Sequence, residues 1–253
     1  MITLLNIYKQ SLLMAKLSSL AYNTDQSFKD LGYDSKYIFR KGSEAYVLWD
    51  DDDFIIVCRG TQPNKFEDIL ADIRLNLVPS YANRGRAHAG FKHSVDLLWP
   101  ELEKLIIKYG SNRKIWCTGH SLGAAMATLI TARLPQLQTG TPTLFTFGSP
   151  RVGDADLHDY LIELGVQHHR WVNNADMVTR NPVFPYRHHG ILYYMNHHGE
   201  LATMSIIRTA IDRIKGFITG IKKGKVNFFV NHFIENYINN IEKMVDNEKN
   251  SNS

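Results

Sequence analysis

The stretch Cys117–Ala125 reads CTGHSLGAA and sets one serine, Ser121, between Gly119 and Gly123, after the apolar pair Ile115-Trp116 and before a small-residue segment that lasts to Pro135. A serine hydroxyl is a weak nucleophile until a histidine takes its proton. The imidazole in turn needs a carboxylate to fix its tautomer and stabilise its charged form. Gly-x-Ser-x-Gly at a strand-to-helix turn supplies the nucleophile: the glycines let strand and helix approach, Ala124 and Ala125 keep that approach close, and the hydroxyl stands at the carboxyl end of the strand beside free helix amides. The bare pattern arises by chance in on the order of one chain in ten of this length, so its flanking elements carry the weight. The amide of Leu122, next in the chain, is positioned to donate to the oxyanion of a tetrahedral intermediate.

In a fold of this kind the carboxylate and then the histidine follow the serine. Asp176 sits in the loop Asn173-Asn174-Ala175-Asp176 after a strand-like Arg170–Val172, where a carboxyl-end acid belongs. Its rivals Asp154 and Asp156 begin a helix, and first-turn or capping acids fit there better. His188, His189, His197, His198 and His232 all follow Asp176, and spacing does not choose among them. The adjacent pairs do not make a metal site, because neighbouring side chains diverge on helices and alternate on strands, and no spaced cysteine or acid completes a ligand set.

These residues need a scaffold. Short apolar runs at Ala45–Trp49, Phe54–Cys58, Lys114–Thr118, Thr143–Phe147 and His169–Val172 read as strands, and Gly90–Tyr109, Leu122–Leu134 and Ala155–Leu164 have helical length and spacing. That alternation predicts an α/β fold with a mostly parallel central sheet and helices on both faces. With 253 residues, 44% of them hydrophobic, one domain over 1–245 is expected, followed by a disordered polar tail at 246–253. The N-terminus reads as a helix burying Ile2, Leu5, Leu12, Leu13, Ala15, Leu17 and Leu20. Lys9 and Lys16 interrupt any signal-peptide core, and no run reaches the ~18 apolar residues of a membrane span. A cytoplasmic protein, or one exported by a non-classical route, is the corresponding expectation. Cys58 and Cys117 lie in apolar strands and read as buried thiols. A net charge of +4 without a basic block or nucleic-acid motif argues against a nucleic-acid partner.

GHSLGAA, together with CRGTQ at 58–62, HAGF at 88–91, FGSPRVGD at 147–154, WVNNADMVTRNP at 171–182 and NHFIENY at 231–237, resembles the class 3 lipases, the family of the Rhizomucor-type fungal lipases and their bacterial relatives. The resemblance runs from about Leu17 to Tyr237. It implies an α/β-hydrolase fold and hydrolysis of lipid carboxylic esters with no cofactor or metal. Triacylglycerol lipase is the first expectation, phospholipase A1 or feruloyl-type esterase the alternative, and a non-catalytic lipid-binding module the most distant reading. It also selects His232 as the general base, agrees on Asp176, and points to Thr61 as the second oxyanion donor. The YRHHG segment matches a part of the family where a histidine packs near the site rather than moving the proton.

Two amphipathic stretches bear on partners. Phe66, Ile69, Leu70 and Ile73 form an apolar helical face within about 62–80, the interval where the family carries a short helical lid that opens onto a lipid–water interface. Ile206, Ile207, Ile211, Ile214, Phe217, Ile218 and Ile221 recur at helical spacing among Arg208, Arg213, Lys215, Lys222 and Lys223, giving a basic helix at about 203–223. Packing on the domain with solvated lysines is its first reading, and peripheral contact with an anionic membrane its second.

Overall fold

Asp53–Cys58 (β3, DFIIVC) is buried at every position, as a strand covered on both faces requires. Around it the computed structural model, which describes residues 1–23, 26–60, 76–202 and 230–251, shows a seven-stranded sheet. Its order is β1 (Asp34–Arg40), β2 (Ser43–Trp49), β3, β6 (Lys114–His120), β7 (Thr143–Phe147), β8 (Gln167–Asn173) and β9 (Ile191–Met195). β1 to β3 form an antiparallel meander, and β3, β6, β7, β8 and β9 run parallel. β4 (Leu77–Pro79) and β5 (Arg86–His88) pair as a separate antiparallel ribbon. The helices are α1 (Ile7–Leu20), α2 (Gln26–Lys29), α3 (Ala89–Tyr109), α4 (Leu122–Arg133), α5 (Ala155–Glu163) and α6 (Ile234–Ser251).

The period of two in the strands sorts the core into two layers. Val47, Ile56, Cys58 and Cys117 face Val95, Leu98 and Leu102 of α3 and Met126, Leu129 and Ile130 of α4. Leu48, Ile55, Val57, Trp116, Phe145 and Trp171 face Met14 and Leu17 of α1 and Tyr237 and Ile241 of α6. The buried Asp53 carboxylate accepts from Trp116 Nε1 and from the amide of Ile2, both at 2.8 Å, so its desolvation is compensated.

The expected strands and helices agree with the observed ones to within two residues at each end. The N-terminal helix is present, and Ile2, Ala15 and Leu17 are buried as expected, but Ser11, Met14 and Ser18 share the buried stripe, Leu12, Leu13 and Leu20 are half-buried, and Leu5 is exposed. Serines can face the core here because Ser11 Oγ accepts from Trp171 Nε1 at 3.1 Å and Ser18 Oγ bonds the Met14 carbonyl at 2.8 Å and Thr118 at 3.0 Å. The polar tail expected to be disordered from residue 246 is instead the last turns of α6, which runs to Ser251. Ile241 and Val245 bury its inner face, while Lys16–Glu242 at 2.8 Å and Lys249–Asp246 at 3.0 Å occupy the outer one. The apolar lid face at 66–73 and the basic helix at 203–223 lie outside the described residues; of the interval 62–80, Leu77–Pro79 is strand β4.

Candidate active site

Ser121 stands between the end of β6 and the start of α4 with φ 58° and ψ −127°, a positive-φ conformation that a non-glycine residue adopts only where its surroundings impose it. The glycines on either side explain how. A Cβ on Gly119 would lie 2.4 Å from the carbonyl carbon of Gly123, and one on Gly123 would lie 2.2 Å from the carbonyl oxygen of Cys58. Strand and helix touch backbone to backbone at both points. Ser121 N donates to the Phe147 carbonyl at 3.0 Å, tying the turn to the end of β7. Leu122 is the first residue of α4, so its amide belongs to the first turn, whose N–H groups have no intrahelical acceptor.

Asp176 follows β8 and is fully buried, as is His232, which closes a single helical turn (Val230–His232) just before α6. His232 Nδ1 lies 2.8 Å from Asp176 Oδ2. Tyr237, one turn into α6, donates its hydroxyl to the same oxygen at 2.6 Å, and Val178 N donates to Oδ1 at 2.9 Å. Burial first, and then the Asp176 charge, raise the Tyr237 phenol well above its ordinary value, so it remains a donor. A carboxylate accepts only, so the neutral His232 ring carries its proton on Nδ1 and keeps its lone pair on Nε2, the tautomer a general base needs.

Two strand ends hold the histidine's turn in place. Asn173, the last residue of β8, donates from Nδ2 to the Asn231 carbonyl at 3.0 Å, and its amide donates to the Tyr237 oxygen at 3.1 Å. His120, the residue before Ser121, places Nε2 2.6 Å from the His232 carbonyl and Nδ1 2.9 Å from the Tyr22 hydroxyl. The carbonyl requires His120 Nε2–H, which leaves Nδ1 to accept from Tyr22. Burial, followed by the nearby His232, holds His120 far below the ordinary histidine value and therefore neutral. Gly148, after β7, leaves the room: at φ 60° its absent Cβ would lie 2.9 Å from Asp176 Oδ2 and from His232 Cε1 and Nδ1.

Thr61 lies outside the described residues. The residue before it, Gly60, is wedged against Ser121: a Cβ there would lie 2.6 Å from the His120 carbonyl oxygen and 3.4 Å from Ser121 Cβ. The rival residues have other partners. Asp154 caps α5 by accepting from Leu157 N at 3.1 Å, and Asp156 accepts from Gly85 N at 2.7 Å. His188 Nε2 donates to the Thr179 carbonyl at 2.7 Å, His189 pairs with His168, and the rings of His197 and His198 lie against one another, tilted by 42°. Sequence reasoning passed over Tyr22, His120, Asn173 and Tyr237 as functional residues. The signal for His120 and Tyr237 lay inside motifs already singled out, GHSLGAA and NHFIENY, whereas Tyr22 and Asn173 act through contacts that no local spacing reveals.

The class 3 lipase family is matched over residues 55–186, more than half the chain. A lipase from Rhizomucor miehei is 30% identical over 182 residues, covering 67% of this chain and 47% of the relative. Phospholipase A1-IIbeta from Arabidopsis thaliana is 31% identical over 186 residues, covering 66% and 44%. The chain thus spans about half the length of the curated relatives it matches. The solved lipase II from Rhizopus niveus superposes with a TM-score of 0.64 at 25% identity, over 74% of this chain and 80% of that one. A family match across β3 to β8, which includes the Ser121 turn, and this likeness in three dimensions agree: the chain belongs to the class 3 lipases and has their α/β-hydrolase fold.

Proposed function

We propose that the chain hydrolyses carboxylic esters of lipids, with Ser121 as nucleophile, His232 as general base and Asp176 as the acid that orients it. The observation that carries this reading is the buried Asp176–His232 hydrogen bond of 2.8 Å beside a serine held at φ 58°. Ser121 Oγ attacks the ester carbonyl carbon while its proton passes to His232 Nε2, and the carbonyl oxygen becomes an oxyanion held by the Leu122 amide and by Thr61. His232 then returns the proton to the departing alcohol, leaving an acyl-serine. Water, deprotonated by the same nitrogen, releases the acid and restores the serine. The chemistry uses no metal or organic cofactor.

Triacylglycerol at a lipid–water interface is the proposed substrate, with the apolar face at 66–73 acting as a lid over Ser121. The Rhizomucor miehei relative, a lipase by name, supports it. Phospholipase A1 is the second reading, supported by the Arabidopsis relative of that name at similar identity. Purified protein assayed against triacylglycerols of graded chain length and against phosphatidylcholine separates the two. Hydrolysis abolished by Ser121→Ala, faster on triacylglycerol and rising sharply once the substrate exceeds its solubility, is the expected result. Preference for the sn-1 ester of the phospholipid overturns the first reading in favour of the second, and unchanged turnover by Ser121→Ala overturns both.

A further inference from the structure

Between α5, β8 and the segment 187–189 lies a small pocket, open on one side, that none of Ser121, Asp176 and His232 lines. Its wall carries an unusual collection of nitrogen: Arg170, Arg187, His158, His168, His188 and His189. Arg170 stands out. Its side chain projects from β8 into the cavity, its Nε is buried without a hydrogen-bond partner, and no carboxylate of the described residues lies within ion-pair distance of its guanidinium. The one acid on the wall, Asp154, already accepts the amides of Arg86 at 3.0 Å and Leu157 at 3.1 Å through Oδ1. A half-buried guanidinium without a counter-ion within ion-pair distance gives up part of its hydration uncompensated, and proteins normally pair such a charge or neutralise it.

The histidines do not supply a negative partner, and His168, His188 and His189 add no positive charge near neutral pH. His168 and His189 place their Nδ1 atoms 2.9 Å apart, so one proton serves both. His168 Nε2 is engaged by Thr146 at 2.8 Å, and His188 Nε2–H is given to Thr179. Burial first, then neighbouring cations and rings, hold His188 at about 3, His189 at about 4 and His168 well below its ordinary value. Burial, and then Arg151 close by, lower Arg170 to about 10, which still leaves it charged at neutral pH. The wall therefore presents two guanidinium groups, four imidazoles and a single carboxylate that is already in use. Arg187 is exposed at the rim, stacked over Phe184 at 5.9 Å.

We propose that this cavity binds a small oxyanion of the phosphate class, held from inside by the Arg170 guanidinium and closed over by Arg187. The planar fork of arginine matches a tetrahedral oxyanion with two parallel N–H···O bonds. The pocket is small and open on one side, so a phosphate-sized group would sit against Arg170 while a glycerol moiety and acyl chains would remain outside. The site is independent of the ester chemistry assigned to Ser121.

The test is a titration of the full chain with sodium phosphate in a phosphate-free buffer of constant ionic strength, read by calorimetry and by the melting temperature. Wild type is expected to bind one phosphate saturably in the millimolar range or tighter and to melt higher with it. Arg170→Gln, which keeps a polar planar group but removes the charge, is expected to weaken binding roughly ten- to a hundredfold and to lose the melting shift, with Arg187→Gln weakening it less. Arg170→Lys keeps the charge but not the fork, is expected to retain part of the affinity, and carries the test if Arg170→Gln does not fold. Vesicles of phosphatidylcholine with and without phosphatidic acid distinguish the source: Arg170-dependent binding of the anionic vesicles, tighter than that of free phosphate, identifies a head group, and the reverse identifies the free ion. The proposal is overturned if wild type binds neither phosphate nor anionic vesicles saturably, or if the Arg170 variants bind as wild type does.

Discussion

Replacing Asp176 by asparagine tests the proposed division of labour at the site, and the direction of the effect follows from the donors around it. Val178 N points at Oδ1, and Tyr237 and His232 Nδ1 point at Oδ2. An amide has only one accepting end. A backbone N–H cannot turn away, whereas the Tyr237 hydroxyl can rotate and accept, so the asparagine oxygen is expected to stay at the Oδ1 position and the NH₂ to face His232. That NH₂ donates to Nδ1, moves the ring proton to Nε2, and removes the lone pair that takes the serine proton. With the charge behind the imidazolium gone as well, turnover is expected to fall by about 10⁴-fold, or about 5 kcal/mol of barrier. The assay is the pre-steady-state acylation rate on a soluble short-chain nitrophenyl ester, which avoids any interfacial step. Nitrogen chemical shifts of His232 report which ring atom holds the proton. A loss of less than tenfold, or a slow enzyme whose His232 still carries Nδ1–H, would refute the tautomer argument.

Other perturbations follow from the same contacts. His120→Phe keeps a ring but cuts the links to Tyr22 and to the His232 carbonyl. It should lower kcat roughly ten- to a hundredfold with little change in KM, and an unchanged kcat would show that the His232 turn is held without it. Gly148→Ala, with a Cβ 2.9 Å from Asp176 and His232 at a φ of 60°, should reduce turnover by more than about a hundredfold. Gly165→Ala, at φ 69° with nothing within 4 Å, should cost only about 1–2 kcal/mol of stability and leave turnover intact; equal activity loss in both variants would separate the effect from the site. Stability should also fall with acid. His188 and His189 ionise at about 3 and about 4 in the folded chain, against 6.5 for a free ring, so the unfolded chain takes up these protons first. The contribution is complete above about pH 6.5 and declines toward pH 4, by up to about 1.4 kcal/mol per pH unit for each ring. A urea midpoint that does not move between pH 7 and pH 5 would contradict it.

What could be read from the chain alone was whatever a few consecutive residues decide. The Ser121 turn was legible because Gly119 and Gly123 must be small for reasons internal to one strand–turn–helix unit, and β3 because every one of its residues is buried. β1 was missed because it is an edge strand with one buried position in seven, so it shows neither a run nor a clean alternation; β9, the other edge, does carry an apolar run, Ile191–Met195, which the sequence reading left unassigned. The end of α6 read as a tail because no residue from Asp246 to Asn250 is buried and all of them are polar. Ser11 and Ser18 are absent from the expected α1 stripe because they look like surface residues until Trp171 and Thr118 are placed beside them.

The acid and the base were legible to different degrees for a topological reason. Asp176 follows a strand, so its place at the sheet's carboxyl end comes with the strand itself. His232 follows no strand, and spacing alone could not prefer it to four other histidines; it reaches the site only because α6 is docked on β8. Asn173 makes that docking specific, with its side chain on Asn231, its amide on the Tyr237 oxygen, its carbonyl accepting Asp176 N at 3.0 Å, and its Oδ1 accepting from Asn240 at 3.3 Å. One residue thereby fixes the acid's loop and the base's helix to the same strand end, so a shift of α6 along the sheet would break the Asp176–His232 bond and these contacts together. The preorganisation that general-base catalysis requires is held in backbone and amide contacts around Asn173, where a search for nucleophiles, acids and bases has no reason to look.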